Sequence, residues 1–209
     1  TQELNFPDSG RSMALTTTVG DTGFMFMGYK GGSFSYATWL YDHSANSWTQ
    51  KAPFPGTWRT GAFVFALNGN IFIGCGTDFN GSNCKNDVWK YSIANDTWTL
   101  STPYPADNRE GFAYYTYNNK GYVVFGRSNC SISPSSNFYE FDPVGETWTA
   151  LTPYLSGGGT SIAAVYDNKV FFRNSGTSFV LVYDLITNQW ENTYPNVPNY
   201  PGNSEHLDR

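Results

Sequence analysis

Leu40-Tyr41-Asp42-His43-Ser44-Ala45-Asn46-Ser47-Trp48-Thr49 decides the fold of this chain, because its pattern recurs. An aromatic residue again stands seven positions before a tryptophan at Tyr91 and Trp98, Phe141 and Trp148, and Tyr183 and Trp190. Small polar residues fill each interval, so each segment predicts a hairpin: a strand ending at the aromatic, a tight turn, and a strand carrying the tryptophan. Asp42, Asp142 and Asp184 recur at the same strand end, which argues for turn capping over acid-base chemistry. Trp48, Trp98 and Trp148 are fifty residues apart and Trp190 follows after forty-two. The hairpin therefore belongs to a long repeat, and the four tryptophans are expected to pack between repeats.

Working outward, a proline-containing loop leads from Trp48 and Trp98 to Arg59 and Arg109; Gly159 takes that place in the third interval, and Arg11 opens the first repeat. A second strand pair follows each of these positions. In residues 61–74 two apolar runs flank Asn68-Gly69, a dipeptide that supplies the positive φ values of a tight hairpin. The counterparts lie around Gly20-Asp21, Asn118-Asn119-Lys120-Gly121 and Asp167-Asn168-Lys169. Each repeat is thus expected to be four strands. A four-stranded sheet that is apolar on both faces cannot bury itself, whereas stacking on like neighbours around an axis gives each face a partner. The expected fold is an all-β propeller with four four-stranded blades.

Composition narrows the partners. Of 209 residues, 18% are aromatic and only 14% charged, with a net charge of −5, so a packed core is available and no basic stripe exists for nucleic acid. The longest apolar runs, such as Ala62 to Leu67, are strand-sized, and no membrane insertion is expected. The first residues lack the organisation of a signal peptide. Cys75, Cys84 and Cys130 allow at most one disulfide within the chain. Cys84 with Cys130 would join long loops of adjacent repeats, Cys75 with Cys84 is the alternative, and free thiols remain open. Cys75 follows an apolar strand and reads as a buried thiol. Scarce lysine with abundant Asn, Ser, Thr, Gly and Tyr points to an extracellular or cell-surface location.

The repeat resembles the kelch family, whose period is near fifty residues. It is most similar to kelch domains of secreted and cell-surface bacterial proteins, through Trp48-Thr-Gln-Lys-Ala-Pro-Phe-Pro-Gly56. The usual Gly-Gly doublet is blurred, to Gly28-Tyr29, Gly74-Cys75-Gly76 and Gly126-Arg127, and the fourth repeat has lost it. Thr1-Gln-Glu-Leu-Asn-Phe-Pro aligns with Thr49-Gln-Lys-Ala-Pro-Phe-Pro, so the chain starts just past the place of a tryptophan. The resemblance then implies part of a larger propeller, of six to eight blades. Residues 1–10 would be the outer strand of a preceding blade and a linker, with blades at 11–58, 59–108, 109–158 and 159–200. Residues 201–209 would be a tail or the start of a next blade, and further blades would come from the same gene or another chain.

The resemblance also implies that the loops between second and third strands share one face with the connections between blades, where binding concentrates. Arg11, Arg59 and Arg109 would ring the channel mouth there. They would either tie adjacent blades or form a basic funnel for a carboxylate or acidic peptide. Tyr29, Tyr36, Trp58, Phe79 and Tyr104 would offer stacking faces.

Chemistry finds few candidates. A kelch copper-radical sugar oxidase needs two histidines, a tyrosine ligand and a Tyr-Cys crosslink, and this chain has only His43, in a turn, and His206. Cysteine spacing does not match a structural zinc site, and no phosphate loop or Ser/His/Asp triad is present. Glu110 or Asp107 as the base of a hydrolase or epimerase has no supporting partner. The expectation is therefore a protein that is not an enzyme and carries no cofactor or metal, a scaffold for protein-protein interaction. A glycan-binding module is the alternative, and a sugar oxidase or epimerase is disfavoured.

Overall fold

The computed structural model describes residues 5–131, 133–154, 161–174 and 180–194. Its described elements are all strands, arranged as four antiparallel four-stranded sheets and two short two-stranded ones. Blade 1 is Leu15–Val19, Thr22–Phe26, Thr38–Asp42 and Ser47–Lys51. Blade 2 is Phe63–Leu67, Asn70–Gly74, Val88–Ser92 and Thr97–Ser101. Blade 3 is Ala113–Tyr117, Lys120–Val124, Phe138–Asp142 and Thr147–Ala150; blade 4 is Ser161–Tyr166, Lys169–Asn174, Val180–Asp184 and Gln189–Tyr194. Within each blade every strand pairs with the next in sequence, so the four strands alternate in direction. The first strands pack on one another in chain order, blade 1 on 2, 2 on 3 and 3 on 4, with no comparable packing of blade 4 on blade 1 among the described residues. This is a β-propeller arrangement. Of the expected preceding strand and linker, residues 1–10, the described residues 5–10 form no strand and 1–4 lie outside the described residues, as do the expected tail, 201–209, and His206.

The turns carry the conformations their residues favour. Asn68-Gly69, Asn118-Asn119 and Asp167-Asn168 all have positive φ at both positions and connect two-residue hairpins. Asp42, Asp142 and Asp184 cap the second hairpins, accepting the backbone N–H groups of Ala45, Val144 and both Ile186 and Thr187. The residue five places after the recurrent aromatic sits in the left-handed region, and its side chain receives the aromatic hydroxyl: Tyr41 donates to Asn46 and Tyr91 to Asp96. Where the aromatic is Phe141, which has no hydroxyl, Glu146 instead reaches blade 2 and accepts from Lys90 at 2.6 Å.

Each joint between blades repeats one ladder of side chains. The tryptophan of a blade meets the ring of an aromatic from the preceding connection: Phe6 with Trp48 at 4.9 Å, Phe54 with Trp98 at 5.2 Å, Tyr104 with Trp148 at 5.3 Å and Tyr154 with Trp190 at 5.1 Å. The indole N–H groups of Trp98, Trp148 and Trp190 then donate to the carbonyls of Ala52, Thr102 and Thr152 in the preceding blade. Aromatic rings placed edge to face in this way gain electrostatically beyond their buried area. The cores are accordingly interblade, built from Phe24, Phe26, Val64 and Ile73 at the first joint and from Phe63, Phe65, Val123 and Phe141 at the second.

The blurred glycine doublet has a structural explanation. The structure corrects its register: the doublet positions are Met27-Gly28, Cys75-Gly76 and Phe125-Gly126, not Gly28-Tyr29 and Gly126-Arg127, and every one of these six residues has positive φ. The second position must be glycine: a Cβ on Gly76 would stand 2.6 Å from the Thr60 carbonyl oxygen, and one on Gly126 2.7 Å from that of Glu110. The first position faces the core, and Met27, Cys75 and Phe125 are fully buried there. Holding a side chain in the left-handed region costs about 1–2 kcal/mol. Burial of a large apolar group, worth roughly 1.5–3 kcal/mol, offsets it at Met27 and Phe125.

Candidate functional site

Because strands alternate in direction, the start of each first strand, the link from second to third strand and the connection between blades emerge at one end. The three arginines expected at that mouth stand there but face inward. Arg59 and Arg109 are 0% exposed, and the Arg11 side chain is 2% exposed. In all three, Nη1 donates to the carbonyl of the left-handed doublet residue, Met27, Cys75 or Phe125. Each guanidinium also lies over the aromatic ring of the joint, at 5.1–5.3 Å from Phe6, Phe54 and Tyr104. Arg59 completes its set with a two-pronged pair to Asp87, at 2.6 and 2.8 Å, and Arg11 bonds Asp8. The basic funnel is thereby corrected: the three guanidinium groups lie inside the joints, each tying a strand end to the doublet carbonyl through Nη1. Tyr104 and Trp58, at 1% and 3% exposure, are likewise buried and present no stacking face.

Burial raises the Asp87 carboxyl, but the hydrogen bonds and charge of Arg59, with the Trp89 indole N–H at 2.8 Å, outweigh it and hold the group below its ordinary range. The Cys75 thiol is free and buried, and burial pushes it far up, against the pull of Arg109 and Arg59.

The remaining aromatics do converge. Tyr29–Lys30 pairs with Ser33–Phe34 through Gly31-Gly32, both at positive φ, and this small hairpin stands Phe34 opposite Tyr29. Tyr29 packs nearly parallel on Phe79 of the blade 2 loop at 5.0 Å. Phe34 lies 4.6 Å from Trp58 and 5.7 Å from Phe79. Trp58 is anchored by its N–H on the Gly28 carbonyl, so it forms the floor. Phe34 and Phe79, each 46% exposed, form the outer surface. Tyr36 is also exposed but lies outside this ring cluster. Phe34 was missed by sequence reasoning, although Gly31-Gly32 is the hairpin signal that would have paired it with Tyr29.

Toward blade 3 the same mouth becomes charged. Ser12 pairs with Tyr29, Thr60 with Thr77 and Glu110 with Arg127 as equivalent backbone partners. Arg127, another residue the sequence reading passed over, holds Glu110 at 2.9 Å. Beside them Cys84 and Cys130 form a disulfide linking the loops of blades 2 and 3, with Cα atoms 5.4 Å apart. The ligand atoms of Cys84, Cys130 and Glu110 lie within 4.8 Å of one another. Their two sulfurs are bonded together, so this cluster offers no thiolate to a metal. In the channel itself, Thr18, Ala66, Tyr114 and Thr116 line a cavity of about 260 Å³. Among the described residues no helix is long and apolar enough to cross a membrane.

No family model and no curated protein matches this chain. The chain is similar in fold to the solved structure of YjhT, with a TM-score of 0.77 at 19% identity over 94% of this chain and 68% of that one.

Proposed function

We propose that this chain is a non-catalytic, kelch-type scaffold that binds a protein segment through the ring cluster of blades 1 and 2. The observation that carries the reading is the exposed pair Phe34 and Phe79, seated on Tyr29 and buried Trp58. Their ring planes meet at 60°, and the free face of Tyr29 is taken up by Phe79, so the cluster is an apolar knob and not a flat platform for a sugar ring. Anchors of this kind dominate protein-protein affinity. Glu110 is committed to Arg127, and Asp42, Asp142 and Asp184 to backbone N–H groups, which favours binding over acid-base catalysis. The disulfide supports an extracellular or cell-surface setting, where such bonds persist.

A double Phe34→Ser, Phe79→Ser variant tests the site. Both side chains are half exposed, so the melting temperature is expected to stay near that of the wild type. Affinity for the partner isolated from the native source should fall at least about tenfold. Unchanged affinity overturns the site, and a glycan-array signal of the wild type that the variant loses turns the reading toward a carbohydrate ligand.

We further propose that other blades complete the propeller. At the interior joints the position of Ile162 is filled by Phe63 and Ala113, both buried, whereas Ile162 is 71% and Tyr166 75% exposed on the far face of blade 4. The outward face of blade 1 bears a cavity of about 370 Å³ lined by Thr16, Thr18, Met25, Tyr41 and Trp48. These are the two complementary faces of one joint, and the YjhT chain has about a third of its length beyond the matched part. The mass of the native polypeptide checks this. A product well above 23.3 kDa, with further tryptophans at the same spacing, is expected, and a monomeric product of 23.3 kDa overturns it.

A further inference from the structure

The three arginines of the joints differ in one respect. Arg11 has Asp8 and Arg59 has Asp87, so each buried guanidinium lies against a carboxylate. By repeat position, Ala106 and Gly56 correspond to Asp8, and Asn137 and Ala37 correspond to Asp87. The joint between blades 2 and 3 therefore has Ala106 and Asn137 where the others place an acid. Arg109 is 0% exposed there, its Nη1 on the Phe125 carbonyl at 2.6 Å, and its Nε and Nη2 have no partner among the described residues. These two groups form one edge of the guanidinium, the fork that takes an anion from the side. The Tyr104 hydroxyl, on the ring lying 5.3 Å from the guanidinium carbon, is buried and equally without a partner.

Among the described residues no neighbour supplies the missing charge. Burial raises both the Cys75 thiol and the Tyr104 hydroxyl, so each stays neutral near pH 7. Glu110 is held by Arg127, and Asp107 is exposed. An unpaired buried charge is strongly destabilising, and unsatisfied buried donors add their own cost. We propose that the Nε–Nη2 edge of Arg109 is a binding site for a small monoanion, a halide or a formate-sized carboxylate. The anion neutralises the blade 2–3 joint as Asp87 does the joint before it.

Melting temperatures in sodium chloride, bromide, formate and gluconate at constant ionic strength test this, since a ligand bound only to the folded state stabilises it with concentration. The wild type should melt roughly 3–5 °C higher in a small anion than in gluconate. A halide effect without a formate effect assigns a spherical site, and the reverse assigns a two-oxygen one. Asn137→Asp should be more stable than wild type and insensitive to the anion. Asp87→Asn removes the carboxylate from the Nη1–Nη2 end of Arg59, whose Nε stays on the Thr57 carbonyl, and should gain anion sensitivity at that end. In crystals grown in bromide, an anomalous peak should lie within hydrogen-bond distance of Arg109 Nε and Nη2. Equal melting temperatures of the wild type in all four salts overturn the proposal, as does a dependence that survives in Asn137→Asp or a water at that edge in bromide crystals.

Discussion

Asp87→Ala is expected to destabilise the chain by about 3–5 kcal/mol, the cost of leaving a buried charge without its partner. Arg59 is wholly buried and gives Asp87 two hydrogen bonds at 2.6 and 2.8 Å, so deletion of the carboxylate strands the guanidinium between blades. Arg59→Ala should cost less, because the Asp87 side chain is 36% exposed and water can take over part of its solvation. Denaturant unfolding of both variants checks the order. The pH dependence follows from the lowered Asp87 carboxyl. Its contribution is fully present above the ordinary carboxylate value, about 3.9, and is lost as pH falls through the lower folded-state value. The wild-type advantage over Asp87→Ala should thus be constant from pH 7 to about 5 and shrink below about 4. A gap that stays constant down to pH 2 would sink this account.

Trp98→Ala is expected to cost a similar amount, about 3–5 kcal/mol. The indole contacts Phe26 at 5.8 Å, Phe54 at 5.2 Å and Tyr91 at 4.9 Å, and its N–H donates to the Ala52 carbonyl. Truncation opens a cavity in the joint between blades 1 and 2 and also leaves that carbonyl short of a donor. Trp98→Phe keeps most of the ring contact and should lose only about 0.5–1.5 kcal/mol for the hydrogen bond, plus the smaller packing deficit. Guanidinium unfolding midpoints separate the two. If Trp98→Ala unfolds within about 1 kcal/mol of the wild type, the ladder does not hold the joint.

Much of this architecture was legible because it is periodic. Trp48, Trp98, Trp148 and Trp190 occupy one repeat position, and each meets the aromatic of the preceding connection. The turns around Asn68-Gly69 and Asp167-Asn168 were readable for a local reason, since these residues tolerate positive φ. The glycine doublet was harder, because its first position is set by what the neighbouring blade buries.

The candidate site was read less well. Arg11, Arg59 and Arg109 stand just before the first strands of blades 1, 2 and 3, yet nothing local distinguishes an arginine that faces a ligand from one that caps a carbonyl sixteen residues on. The knob of Tyr29, Phe34 and Phe79 joins loops of two blades, about fifty residues apart in sequence.

By itself the sequence determined the repeat, the four strands of each blade, their turns and the place of the tryptophans between blades, because these depend on residues near one another in the chain or at one repeat position. Only the tertiary structure decided which charges are neutralised and which rings reach solvent. Asp87 pairs with Arg59 across twenty-eight residues, and Asn137 leaves Arg109 without an acid. Charge balance in a buried joint depends on every side chain that the fold brings within a few ångströms, and that set is assembled only when the blades stack.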